Sequence, residues 1–100
     1  MIKYQIVYWR DIPAQVKLRA GRQRLSRPLT DRFQVAIDDA AMRAGKQGEE
    51  TYLEEWRAGS WLEADGEADA VADALVDELE TGYTNQRLRT LVRNEGREQG

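Results

Sequence analysis

Side chains suited to binding a charged partner are concentrated near the start of the chain. They are Trp9, Arg10, Asp11, Lys17, Arg19, Arg22 and Arg24. Arginine and lysine bind carboxylates and phosphates through charge-assisted hydrogen bonds, and a neighbouring aromatic ring adds apolar contact. Residues 1–32 hold eight Lys/Arg against two Asp/Glu, a net charge of +6 in a chain whose net charge is −3. The pattern indicates a cationic binding surface.

Catalysis by this chain is limited by what the sequence lacks, because it contains neither cysteine nor histidine. Disulfides, thiolate metal sites and Ser-His-Asp or Cys-His catalysis are therefore excluded. Arg10 and Asp11 resemble a catalytic pair, but no nucleophile accompanies them, and Asp11 beside Pro13 is typical of a structural corner that accepts backbone amides. We expect a protein that is not an enzyme and holds no cofactor and no metal.

Two alternating segments position these residues on a predicted sheet. Residues 2–9 alternate as a strand, which residues 10–13 end because Pro13 has no amide hydrogen to donate. Residues 14–28 predict a hairpin whose two-residue turn at Ala20-Gly21 pairs Arg19 with Arg22 and Lys17 with Arg24. This register puts three apolar side chains on the inner face: Val16, Leu18 and Leu25. The four cations of the hairpin then share the outer face, beside Lys3, Gln5 and Trp9 of the first strand.

Helical spacing of apolar residues predicts three helices. The first begins after a Thr30 N-cap and ends before Gly45, the second begins at an Asp65 N-cap and ends at Gly82, and the third begins at Thr84. Residues 46–49 are a predicted loop. The fold class is α+β, a two-layer sandwich with an antiparallel sheet of about four strands and helices on one face, in the order β-β-α-β-β-α-α. Residues 1–96 form one domain and residues 97–100 a frayed tail.

Two segments leave alternatives open. Residues 52–63 fit either a second hairpin or, over 49–57, a short helix, and the two tryptophans there, Trp56 and Trp61, fit either an exposed platform or the core. Asp69, Asp73 and Asp77 recur every four residues along the second predicted helix. A solvated acidic face explains them better than a cation site, because ligands on one helix face diverge.

The partner of the cationic surface has two candidate classes. Basic residues interleaved with an aromatic are typical of an RNA- or nucleotide-binding sheet. However, residues 33–81 carry a net charge of −11, which repels a polyanion, and the sequence pI is about 5.0. An acidic protein surface is therefore the favoured partner. The sequence contains no run of about 18 apolar residues, which a membrane span would require. We therefore expect a cytoplasmic protein. Its oligomeric state stays open.

Three segments carry a family resemblance: residues 8–16 (Tyr-Trp-Arg-Asp-Ile-Pro-Ala-Gln-Val), Gly21-Arg22, and residues 32–38 with 41–43. Over residues 4–57 the chain resembles a small bacterial family labelled "virulence factor". The resemblance implies an adaptor, since related domains belong to larger proteins with an iron–sulfur scaffold N-terminal domain and HEAT repeats. It also implies an accessory role in one-carbon or iron–sulfur metabolism, since stand-alone members are encoded near methylenetetrahydrofolate reductase and corrinoid methyl-transfer proteins. It transfers no catalytic residue.

Overall fold

The computed structural model describes residues 1–46 and 48–98 and has an α+β fold. Its strands are β1 (Ile2–Trp9), β2 (Ile12–Ala20), β3 (Gln23–Pro28), β4 (Trp56–Ala58) and β5 (Leu62–Ala64). Its helices are α1 (Asp31–Arg43), α2 (Glu49–Glu54), α3 (Ala68–Gly82) and α4 (Asn85–Arg93). The predicted fold class is confirmed. The structure places three strands before α1 and adds the short helix α2; Gln47, in the predicted loop 46–49, lies outside the described residues.

The sheet is antiparallel, with the strand order β3-β2-β1-β4 and with β5 also paired to β1. β4 pairs with one end of β1, from Val7 to Trp9, and β5 pairs with the other end, from Ile2 to Tyr4. The predicted second hairpin is therefore wrong. Residues 56–64 form one interrupted edge strand along β1, and the Gln5 side-chain amide donates to the Gly59 carbonyl in the gap at 2.9 Å. The alternative, a short helix, is correct for 49–54.

The connection between β1 and β2 is tighter than the sequence predicts. β2 begins at Ile12 rather than near Ala14, so the break consists of Arg10 and Asp11 alone. Pro13 lies within β2 opposite Tyr8, at the point where the register of the two strands shifts. A proline is tolerated there because a bulge already interrupts the ladder.

The β2–β3 hairpin keeps its predicted faces but not its predicted register. Ala20 pairs with Gln23 and Arg19 with Arg24, so the turn is Gly21-Arg22 instead of Ala20-Gly21. Gly21 has φ +62°, a conformation that glycine adopts without the strain of a side chain. Because the pairing moves by two residues, the side-chain alternation is preserved. Val16 and Leu18 are buried, and Lys17 and Arg24 are exposed.

Apolar residues collect in two connected clusters. One lies between the sheet and α3, where Ile2, Val16 and Leu18 pack with Ala72. The other surrounds Trp9 at the corner of β1 and β2, and α1 and α4 supply most of its residues. Val76 and Leu79 of α3 pack against both clusters. The three long helices therefore close a single core around one end of the sheet.

Polar contacts join α1 to α3. The Arg32 guanidinium pairs with the Glu80 carboxylate at 3.0 Å and also donates to the carbonyls of Glu80 and Tyr83. The Thr30 amide and hydroxyl both donate to Glu80, at 2.7 and 2.9 Å. Burial by itself raises the pKa of the Glu80 carboxyl, but the bonds from Thr30 and Arg32 outweigh it and hold that pKa below its ordinary value.

The predicted helix starts agree with the structure to different degrees. Thr30 is the N-cap of α1, but its side chain caps no amide of α1 because its hydroxyl binds Glu80. The Thr84 hydroxyl accepts the Arg87 amide of α4, as predicted. The Asp65 prediction is wrong, since Glu67 occupies the N-cap of α3. Among the described residues, no helix is long and apolar enough to cross a membrane.

Candidate functional site

Four cations form a cluster on the sheet face that lies opposite α3. Lys3, Arg19 and Arg24 stand side by side across β1, β2 and β3, and Lys17 lies in the neighbouring row opposite Ser26. Arg22 extends from the turn at the end of the same hairpin. We call these five residues the cationic face. In the described part of the chain, one acidic residue is in register with them: Glu63 of β5, opposite Lys3.

The basic residues of the cationic face have no carboxylate partner in the described part of the chain. Within residues 1–46 and 48–98, none of its five side chains forms an ion pair. Arg27 provides the contrast: it belongs to the same hairpin but points to the other face, where it pairs with Asp69 and Asp73 of α3. Arg27, which faces α3, is therefore neutralised, whereas the cationic face on the other side of the sheet is not.

An aromatic side chain completes the cationic face. The Arg19 guanidinium lies 4.4 Å from the centre of the Trp61 ring, and Trp61 remains 38% exposed. Trp61 precedes β5 and reaches Arg19 because residues 56–64 run along β1. The sequence alone did not place it there, since the predicted hairpin over 52–63 separates it from β1. Trp56, by contrast, is half-buried against Tyr52.

Trp9 belongs to the core and not to the exposed face. Its side chain is fully buried, at 0% exposure, and its indole N–H donates to the Tyr52 carbonyl at 2.9 Å. Its ring also stacks on the Tyr52 ring with 5.9 Å between the centroids. The strand alternation that assigns Trp9 to the outer face is right at Lys3 and Gln5. The alternation does not predict which side chains are exposed at the end of β1, because α2 and the chain after α4 cover that end.

Arg10 is also buried, with only 8% exposure, and its backbone has φ +52°. Its Nη2 pairs with Glu55 at 3.0 Å, and its Nη1 donates to the Glu95 carbonyl at 2.9 Å. Its Nε has no partner among the described residues. Arg10 is therefore a structural cation that joins the β1–β2 corner to the ends of α2 and α4, and its burial keeps the guanidinium from contact with a partner protein.

Asp11 has the structural role that a corner aspartate suggests. Its carboxylate accepts from Arg57 at 3.1 Å and from the Glu98 amide at 2.7 Å, and its own amide donates to the Gly96 carbonyl at 2.8 Å. These bonds tie the chain after α4 to the first turn of the sheet. Of the predicted tail, residues 97–100, Gln99 and Gly100 lie outside the described residues.

A concavity of about 340 Å³ lies beside this corner and contains Tyr4, Tyr8 and Tyr83. Burial raises the pKa of the Tyr83 hydroxyl. The two arginines beside this concavity are already in contact with its rings: Arg57 lies 4.5 Å from the centre of the Tyr8 ring and Arg87 lies 3.9 Å from that of Tyr83. Each arginine also pairs with a carboxylate of the same chain. This concavity therefore offers little unmatched charge to a ligand.

Two aspartates of α3, Asp69 and Asp73, likewise pair with a basic residue of the same chain, Arg27. In the described part of the chain, no three acidic side chains converge as a metal site requires. The residues brought together at an accessible surface are Lys3, Lys17, Arg19, Arg22, Arg24 and Trp61, which favour binding through charge and aromatic contact.

Comparison with known proteins gives a match to one family model. A model described as "Virulence factor" matches residues 7–92, which covers β2 to β5 and α1 to α3 completely and α4 up to Val92. No curated protein and no solved structure matches the chain.

Proposed function

The chain belongs to the Virulence factor family, and we propose that it is a non-enzymatic interaction module that binds an acidic protein surface through its cationic face. The observation that carries this proposal is the absence of ion pairs at Lys3, Lys17, Arg19, Arg22 and Arg24 within the described residues, whereas Arg27 of the same hairpin is paired. A carboxylate-rich partner would supply the missing counter-charges.

Electrostatics within the sheet favour such a partner. Arg19 and Arg24 are directly opposite each other on adjacent strands, and like charges in that position destabilise the pairing. Carboxylates from a bound protein would relieve this repulsion. Trp61 adds a half-exposed indole beside them, and tryptophan and arginine are the residue types most enriched among the residues that dominate binding energy.

A protein partner fits the whole chain better than a nucleic acid does. The basic hairpin lies on a chain of net charge −3, and α3 carries exposed carboxylates at Asp73 and Asp77. These acids repel a phosphate backbone that extends beyond the sheet. A protein partner of smaller footprint can contact the cationic face alone.

A non-enzymatic role is supported by the contacts of Arg10 and Asp11. Both side chains are used to hold the corner together, so the pair that resembles catalytic residues is occupied by structural bonds. The sequence provides no cysteine or histidine to replace them. We therefore expect the module only to bind, and any reaction to be catalysed by its partner.

The test uses one matched pair of charge reversals. Arg24→Glu changes the cationic face, and Arg97→Glu changes an exposed arginine elsewhere by the same charge. A partner is recovered from native lysate by affinity purification, identified by mass spectrometry, purified, and titrated against each variant. We expect Arg24→Glu to weaken binding roughly tenfold and Arg97→Glu to leave it unchanged. Equal affinities for both variants would refute the proposed surface. A partner from one-carbon or iron–sulfur metabolism would make the module an accessory subunit.

A second titration distinguishes nucleic acid. The protein is mixed with single-stranded poly(U) RNA at about 50 and 200 mM salt, a range over which phosphate-driven binding falls steeply. We expect no saturable binding at either concentration. Tight binding at the lower concentration that disappears in Trp61→Ala would replace the proposal with an RNA-binding sheet.

A further inference from the structure

A second basic surface lies between α1 and α4, on elements that do not contribute to the cationic face. The two helices enclose an open groove of about 400 Å³. Its floor is apolar and consists of Val35 and Ala36 from α1 and Leu88 and Val92 from α4. Ala36 and Leu88 belong to the core, whereas Val35 is 57% exposed. An exposed valine next to buried apolar residues gives the groove an apolar surface that water covers in the free chain.

Arginines surround this floor. Arg43 lies at the end of α1, and Arg89 and Arg93 lie on α4. These three side chains form no ion pair within the described residues, whereas Arg32, which also lines the groove, is paired with Glu80. Among the residues that the structure describes, Asp39 is the only carboxylate that lines the groove. The groove therefore combines an apolar floor with a rim of positive charge.

We infer that this groove binds an acidic amphipathic helix of a partner protein. A helix docks in a groove between two others by burying one apolar stripe, and its flanking acids would meet the arginine rim. Arg89 and Arg93 are four residues apart, one turn of α4, which matches acidic residues spaced at i and i+4 on the docked helix. The inference goes beyond the proposed function, because it concerns a different surface.

The apolar floor favours a helix over a small anion. A small anion would neutralise the arginines but leave Val35, which is 57% exposed, in contact with water. Met42 lies seven residues after Val35 on α1, but Asp38 and Asp39 occupy the turn between them, so the apolar stripe of a docked helix would meet Val35 and Val92.

The experiment uses a defined probe, a fluorescein-labelled synthetic peptide of about 15 residues. It carries leucines at helical spacing and glutamates one turn apart on the flanking face. A scrambled peptide of the same composition is the control. We expect saturable binding in the micromolar range to the amphipathic peptide and at least tenfold weaker binding to the scrambled one. Amide chemical-shift changes in ¹⁵N-labelled protein should be confined to α1 and α4.

Charge reversals test the groove. Arg89→Glu with Arg93→Glu should weaken peptide binding roughly tenfold, while Arg97→Glu, at an exposed arginine that lies outside both the groove and the cationic face, should leave it unchanged. If the double reversal on α4 unfolds the protein by circular dichroism, Arg89→Gln with Arg93→Gln replaces it. Equal binding of the scrambled peptide, or shift changes on β2 and β3, would overturn the inference without affecting the proposed role of the cationic face.

Discussion

The guanidinium of Arg19 lies 4.4 Å from the centre of the Trp61 ring, and the two residues meet only because the chain after α2 runs along β1. The contact keeps an indole ring at the edge of the cationic face. A partner therefore meets an apolar plane as well as positive charge at the same place. Two tryptophans of this chain consequently have opposite roles, since Trp9 is buried and Trp61 is exposed.

Replacing each tryptophan by alanine should separate these roles. Trp9→Ala removes a fully buried ring and an indole hydrogen bond, so we expect the free energy of unfolding to fall by about 3–5 kcal/mol. Trp61→Ala removes one exposed cation–π contact and should lower it by only about 0.5–1 kcal/mol. Urea denaturation measures both. Similar losses for the two variants would contradict the assignment of Trp61 to the surface.

Gly96 should tolerate no side chain. It has φ +89°, and a Cβ atom there would lie 3.0 Å from Cζ3 of Trp9. Gly96→Ala therefore combines backbone strain with a clash, and we expect a loss of about 2–3 kcal/mol. Gly21→Ala is the matched control: its φ is +62°, but no atom lies within 4 Å of the added methyl group, so the loss should be about 1 kcal/mol. Thermal unfolding that ranks the two variants in the reverse order would refute this packing.

Removing Glu55 should destabilise the protein, because its carboxylate is the counter-charge of a buried arginine. Its carboxylate pairs with buried Arg10 at 3.0 Å and with Lys46 at 3.9 Å. Glu55→Ala leaves a buried guanidinium without its counter-charge, for which we expect a cost of about 2–4 kcal/mol. Glu54→Ala, at an exposed neighbouring position, should cost less than about 0.5 kcal/mol. Chemical denaturation of both variants in the same buffer provides the comparison.

The contribution of Glu80 should depend on pH. Its folded-state pKa lies below the ordinary value of 4.5, so the carboxylate stabilises the fold at pH values above the unfolded pKa, and this stability is lost as pH falls through the folded pKa. Glu80→Gln should therefore be clearly less stable than the parent chain at pH 7. The difference should shrink below pH 4.5, as measured by urea unfolding across the range. A difference that grows on acidification would contradict the depressed pKa.

Side-chain alternation predicts the faces of the sheet more reliably than it predicts strand pairing. The predicted pairing of Arg19 with Arg22 is wrong, yet Lys17, Arg19 and Arg24 share a face as expected. The reason is that the observed pairing, Arg19 with Arg24, differs by two residues, and a shift of two restores the same alternation. Only Arg22 changes position, from the ladder to the turn.

The structural features that the sequence does not predict depend on contacts between segments that are far apart in the chain. The burial of Arg10 depends on Glu55 and on the Glu95 carbonyl, neither of which is close to Arg10 in the chain. Trp61 reaches the cationic face because residues 56–64 pair with β1, whereas local turn signals favour a hairpin. The groove between α1 and α4 requires the packing of two helices whose outer arginines look, in sequence, like ordinary solvated charge.

The bonds that join the chain after α4 to the β1–β2 turn affect the order of events during synthesis. Arg10 and Asp11 leave the ribosome before any of the described helices, but their partners, the carbonyls of Glu95 and Gly96 and the amide of Glu98, emerge after those helices. Buried Arg10 and the ring of Trp9 must therefore wait for the last described residues before that end of the core closes. A nascent chain stalled before residue 94 should expose this corner to chaperones and proteases.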